Sequence, residues 1–95
     1  MDMENLMDKE AVRLVNTERQ NVYGHPYDNL SDIGKIWGAI LGIPPIDPEK
    51  VALCMMGTKI ARLKMNYHDD GVVDYKGYEN CLKMIVDKRK ELEMI

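Results

Sequence analysis

A chain of 95 residues suffices for one domain, is too short for two, and buries so modest a share of its surface that self-association would help it. A net charge of -3 and a pI near 5.3 exclude nonspecific nucleic-acid binding, which needs a basic field. No run of about 18 apolar residues occurs, so no membrane-spanning helix is expected, and the acidic start MDMENLMDKEAVRLV does not read as a secretory signal.

The first predicted element is a helix over residues 3–20, with Leu6, Met7, Ala11, Leu14 and Val15 at helical spacing and charges on the other face. Gly24 and Pro26 break that pattern. A second helix is expected from Asn29 or Ser31 to Leu41, with Leu30, Ile33, Ile36, Trp37, Ile40 and Leu41 as its apolar stripe. Gly42 ends it, and Pro44 and Pro45 forbid continuation. Asp47-Pro48-Glu49 then supplies a capping carboxylate, a first-turn proline and a first-turn acid. The third helix runs from there to about Met65, with Ala52, Leu53, Met56, Ile60 and Leu63 inward. After the link Asn66–Gly71, a fourth helix begins near Gly71 or Asp74 and carries Tyr78, Cys81, Leu82 and Ile85, with Leu92 as a further candidate.

The fold class is therefore all-α, a compact bundle of about four helices forming one domain over residues 1–95. Phe is absent and Met numbers eight, so the core is expected from Met, Leu, Ile and Val. Met-rich faces also suit association, and a homo-oligomer is expected. Gly34, Gly38, Gly57 and Gly77 fall inside predicted helices, where each costs about 1 kcal/mol relative to Ala when exposed. Gly34 and Gly38 share a face, which suggests a tight helix crossing. Cys54 and Cys81 lack CxxC spacing and read as buried reduced thiols, consistent with a cytoplasmic compartment, either a cell's own or that of an infected host.

Candidate chemistry clusters in two places. The stretch Glu18–Asn29, ERQNVYGHPYDN, is richer in polar chemistry than a connector needs. Arg19, Tyr23 and His25 are its candidates for ligand contact, with Asn29 as a helix cap or a further contact. His25 should be extended because a proline follows it. In the second place, Lys59 and Arg62 stand three apart on one helical face. Asp70, Asp74 and Tyr78 step by four on the next helix, joined by a short link, so the two stripes should meet. An interhelical salt-bridge network is one reading. The sharper one is a phosphate held by Lys59 and Arg62, with the carboxylates orienting them. His68-Asp69-Asp70 reads either as a solvated turn capping a helix or as part of a metal site.

Taken together, ERQNVYGHPYDN, IGKIW, VALCMMGTKIARLK and HDDGVVDYKGYENCL resemble a family of small phage and prophage proteins of unknown function. The shared pattern is approximately ERxxxYGxPxxN…KiaRl…HxDxxxDxaGY. It spans about residues 18–82 and maps onto Glu18, Arg19, Tyr23, Gly24, Pro26, Asn29, Trp37, Lys59, Arg62, His68, Asp70, Asp74, Gly77 and Tyr78. The family is distantly similar to a nucleotide-modification-associated domain and to the all-α MazG-like nucleotide pyrophosphatases. The resemblance implies a nucleotide or other phosphorylated ligand. One expectation is a binder without turnover or cofactor, sequestering a nucleotide signal of host immunity. The alternative is a magnesium-dependent pyrophosphohydrolase with Asp69, Asp70 and Asp74 around the metal, although the EExxE cluster of such enzymes is missing here. A second alternative is an interaction module acting on a host protein.

Overall fold

The computed structural model describes residues 24–94. Among them are three helices and no strand: α1 (Pro26–Leu41), α2 (Pro48–Met65) and α3 (Asp69–Glu93). The all-α expectation holds. The helix predicted over residues 3–20 lies outside the described residues. Helices α2 and α3 form an antiparallel hairpin across the short link at 66–68, and α1 packs against both.

Helix α1 starts earlier than the sequence suggests. Pro26 acts as its first residue rather than as a breaker, because the amide it lacks has no partner in a first turn. The cap is His25, extended at φ -66° and ψ 139° as its proline neighbour requires; its Nδ1 accepts from the Tyr27 amide at 3.0 Å. Asn29 sits inside the first turn and is not the cap. At the other end Gly42 adopts φ 70°, and the Ile43 amide donates to the Gly38 carbonyl at 3.0 Å.

Beyond Gly42 the chain doubles back along α1. The Ile46 amide donates to the Gly34 carbonyl at 3.1 Å, and a Cβ on Gly34 would stand only 1.9 Å from the Ile46 oxygen. A Cβ on Gly38 would meet the carbonyl oxygens of Ile43 and Pro44, both at 2.9 Å. The close approach expected at this glycine pair is real, but its partner is the returning loop and not a crossing helix. Gly57 faces open space instead.

Helix α2 opens at Pro48 as predicted. Asp47 holds the cap position without a side-chain hydrogen bond, contrary to the expected capping carboxylate; only its carbonyl serves, accepting from Val51 at 3.0 Å. Helix α3 opens at Asp69, before the predicted Gly71, because His68 caps it: Nδ1 accepts from the Gly71 amide at 2.9 Å.

The fully buried core is Leu30, Val51, Ala52, Cys81 and Ile85, edged by Tyr27, Ile33, Trp37, Ile46, Met55, Leu82 and Met84. Several residues assigned inward from periodicity lie exposed: Ile36, Ile40 and Leu41 on α1, Leu53 and Ile60 on α2, and Leu92 on α3. On α1 the inward line is Pro26, Leu30, Gly34 and Gly38, so the isoleucines fall to its flank. Cys54 is also exposed, against expectation, whereas Cys81 is buried; both are free thiols.

Candidate functional site

The residues expected to bind a ligand fall into two groups at opposite ends of the α2–α3 hairpin. Lys59, Arg62, His68, Asp70 and Asp74 lie near its turn. His25 lies beside the last third of α3, where it lines a cavity of about 300 Å³ with Met84, Asp87, Lys88 and Glu91. From Asp74 to Asp87 the helix rises roughly 20 Å. Among the described residues the two groups do not share a pocket. Arg19 and Tyr23, the other candidates for ligand contact in the first stretch, lie outside the described residues.

At the turn, the two facing stripes meet as the sequence suggests. Lys59 Nζ stands 3.1 Å from Asp74 Oδ2. The lysine side chain is only 14% exposed and the aspartate 49%. A partly covered ammonium gains from a nearby opposite charge, and Asp74 supplies it to Lys59 where the two helices face each other. Arg62, about one turn further on, is exposed and forms no ion pair among the described residues. Its charge complements the carboxyl end of α2, as does that of Lys64. Tyr78 lies half-buried, one turn beyond Asp74.

His68 adds a polar atom to this end. Its Nδ1 lone pair is occupied by the Gly71 amide, so the neutral ring carries its proton on Nε2, a donor on an exposed residue. Asp69 and Asp70 fill the first turn of α3, where carboxylates suit the helix dipole. Asp69 also accepts from the Tyr67 hydroxyl, which raises the phenol's pKa. Asp74 is engaged with Lys59 and does not converge with Asp69 and Asp70. Among the described residues no three His, Cys, Asp or Glu side chains gather to hold a metal ion. The polar groups at this end are thus the paired Lys59 and Asp74, the exposed Arg62, the Nε2–H of His68 and the carboxylates of Asp69 and Asp70.

The cavity at the other end has mixed walls. Lys88 approaches Glu91 at 3.8 Å, while His25, its Nδ1 committed to the Tyr27 amide, presents Nε2–H. Beside it stands a cluster that the sequence reading missed. Arg89 binds Glu49 through both nitrogens of its fork, with Nη2 to Oε1 at 2.9 Å, and its guanidinium lies over the Tyr27 ring at 5.5 Å from the centroid. One side chain thus ties α3 to α1 and α2. The hydrogen bond from Arg89 is the main reason that the Glu49 carboxyl is held below its usual pKa. Glu49 and Arg89 are forty positions apart, and no local spacing announces the pair.

Comparison with known proteins follows the same outline as the motifs. Residues of this chain are 40% identical over 88 positions to the "Gene 55 protein" of Mycobacterium phage D29, covering 90% of the chain and 56% of that relative. The "Gene 55 protein" of Mycobacterium phage L5 is 39% identical over 74 positions, 77% of the chain and 47% of the relative. The chain therefore spans about half the length of these relatives. No solved structure matches. The family model described as "Domain of unknown function (DUF6378)" matches residues 6–86, and the chain, similar along most of its length to phage proteins, belongs to that family.

Proposed function

We propose that this is a phage binding protein for a phosphorylated small molecule, a nucleotide in the first instance, which it holds without turnover. The observation that carries this reading is the exposed Arg62 beside Lys59, whose ammonium is already fixed in place by Asp74. A guanidinium offers a planar fork to phosphate oxygens and an ammonium a point charge, and the Nε2–H of His68 can add a third contact. Sequestering a nucleotide signal of host immunity is the role we attach to such binding, by analogy of size and phage origin alone.

The test is native mass spectrometry of the protein incubated with a host nucleotide extract in EDTA, followed by recovery of the ligand after denaturation. A bound phosphorylated compound, released chemically unchanged, is the expected result. Arg62→Ala should weaken its binding roughly ten- to a hundred-fold, the loss of a charge-assisted contact worth about 1.5–3 kcal/mol. Magnesium-dependent release of a nucleoside monophosphate would favour the pyrophosphohydrolase instead. Absence of any bound phosphorylated compound would reject the binder.

A second reading has its own observation. Ile36 and Ile40 on α1, with Leu53 and Ile60 on α2, leave large apolar side chains in water, as a protein-interaction module acting on a host protein would. Capture of a defined host protein that Ile40→Asp abolishes, with no phosphorylated ligand bound, would favour that module.

A further inference from the structure

We infer that Asp74 is an internal competitor for the proposed phosphate site, occupying Lys59 until a multiply charged ligand displaces it. The inference rests on the phosphorylated-ligand reading and concerns how that same site chooses its ligand. Its ground is the asymmetry of the pair. The Lys59 side chain is mostly covered, at 14% exposed, whereas Asp74 is half-exposed at 49%. When an anion arrives, the carboxylate can turn into water and be solvated there, while the ammonium stays where it is. Breaking the pair therefore leaves neither charge stranded, provided that the incoming group contacts Lys59.

The charges around the pair decide which anions qualify. On α2, Arg62 stands about a turn beyond Lys59 with no ion pair among the described residues, so it is open to a second oxygen. From the link, His68 brings an Nε2–H donor. From α3, Asp69 and Asp70 add negative charge close to the same end. A monoanion such as acetate offers Lys59 no more than Asp74 already gives, and it meets the repulsion of three carboxylates. A pyrophosphate group brings several charges and enough oxygens to engage Lys59 and Arg62 together. Asp74 thus sets a threshold that admits polyphosphates and rejects single carboxylates.

The orienting role expected from the sequence and the competing role inferred here differ in sign. If Asp74 merely orients Lys59, then Asp74→Asn weakens anion binding. If it competes, the substitution strengthens binding, because the amide keeps the shape and an acceptor oxygen but gives up the charge.

The experiment is calorimetric titration of inorganic pyrophosphate and of acetate into the wild type, Asp74→Asn and Arg62→Ala, in EDTA at constant ionic strength. Pyrophosphate should bind Asp74→Asn about ten-fold more tightly than wild type and Arg62→Ala more weakly. Acetate should gain measurable binding only in Asp74→Asn. In the wild-type protein, which does not depend on a variant folding, the Asp74 13Cγ resonance should move on addition of pyrophosphate as the carboxylate leaves Lys59. If Arg62→Ala weakens binding while Asp74→Asn fails to strengthen it and the resonance stays put, the competitor is rejected and the phosphate site stands. If no protein binds pyrophosphate, or Arg62→Ala leaves its binding unchanged, the site itself is wrong and the competitor goes with it.

Discussion

Two histidines that the sequence offers as ligand contacts also serve the backbone, each giving its Nδ1 to an amide at the start of a helix. The usual caps are Asn, Asp, Ser and Thr, so histidine is easily read as chemistry alone. The two roles separate by substitution. His68→Ala is expected to cost about 1 kcal/mol in urea unfolding, and His68→Asn, which restores a short acceptor, should recover most of it. Equal losses in both variants would mean that the cap is not what His68 contributes. The glycines offer a sharper contrast at the same scale. Gly34→Ala drives a methyl against the Ile46 carbonyl, and overpacking of that kind costs about 1–3 kcal/mol or more. Gly57→Ala meets nothing within 4 Å and should stabilise by up to about 1 kcal/mol. Opposite signs in one denaturation series are the expected outcome, although helix propensity alone treats both positions alike.

Among the elements, the contact between α2 and α3 is secured at both ends by ion pairs of different character. Near the turn, Lys59 and Asp74 form a single contact with the aspartate half in water. At the far end, Glu49 and Arg89 form a two-pronged bond that Tyr27 covers from α1. Holding Glu49 below its ordinary pKa, chiefly by the hydrogen bond from Arg89, has a definite consequence for pH dependence. A carboxyl whose folded pKa is depressed binds fewer protons folded than unfolded, so it favours the folded state above its unfolded value near 4.5. That contribution is complete at neutral pH and disappears as pH falls through the lower, folded value. Thermal melting of Glu49→Gln should therefore lie below wild type at pH 7, and the two curves should converge in acid. A gap that persists unchanged below pH 3 would assign Glu49 a role in packing instead of charge.

For the whole molecule, the described residues leave a great deal of apolar surface in water. Ile40 is 75% exposed, and Ile36, Leu41, Ile43, Leu53 and Ile60 are each at least half exposed. Single exposed apolar residues are ordinary, but this number on so small a frame favours association. Sedimentation equilibrium at micromolar concentration should show a dimer or a larger species, and Ile40→Asp should shift the distribution toward monomer. A clean monomer in the wild type would reject the homo-oligomer.

The helical elements were legible in the residues, although the starts of α1 and α3, each capped by a histidine, fall earlier than the pattern suggests. Pro48 and Gly42 act within a turn of their own position, so the start of α2 and the end of α1 follow from local chemistry. The stepping of Lys59 and Arg62, and of Asp70, Asp74 and Tyr78, is equally local, and the short link made it natural that the stripes would meet. What residue spacing does not contain is which face of each helix gains a cover. Helical periodicity places Ile36 and Ile40 beside Leu30 and Trp37, yet only the packing of three helices decides that Leu30 is enclosed and Ile40 is not. The same holds for Gly34, whose partner is a loop that returns two turns along α1, and for Arg89, which finds Glu49 from forty residues away. It holds too for His25 and Lys59, both expected to contact a ligand and placed near opposite ends of the α2–α3 hairpin. Local preferences fix where a helix begins and ends; which charges meet and which apolar groups are covered depends on distant segments arriving at one place, and that is settled only by the tertiary structure.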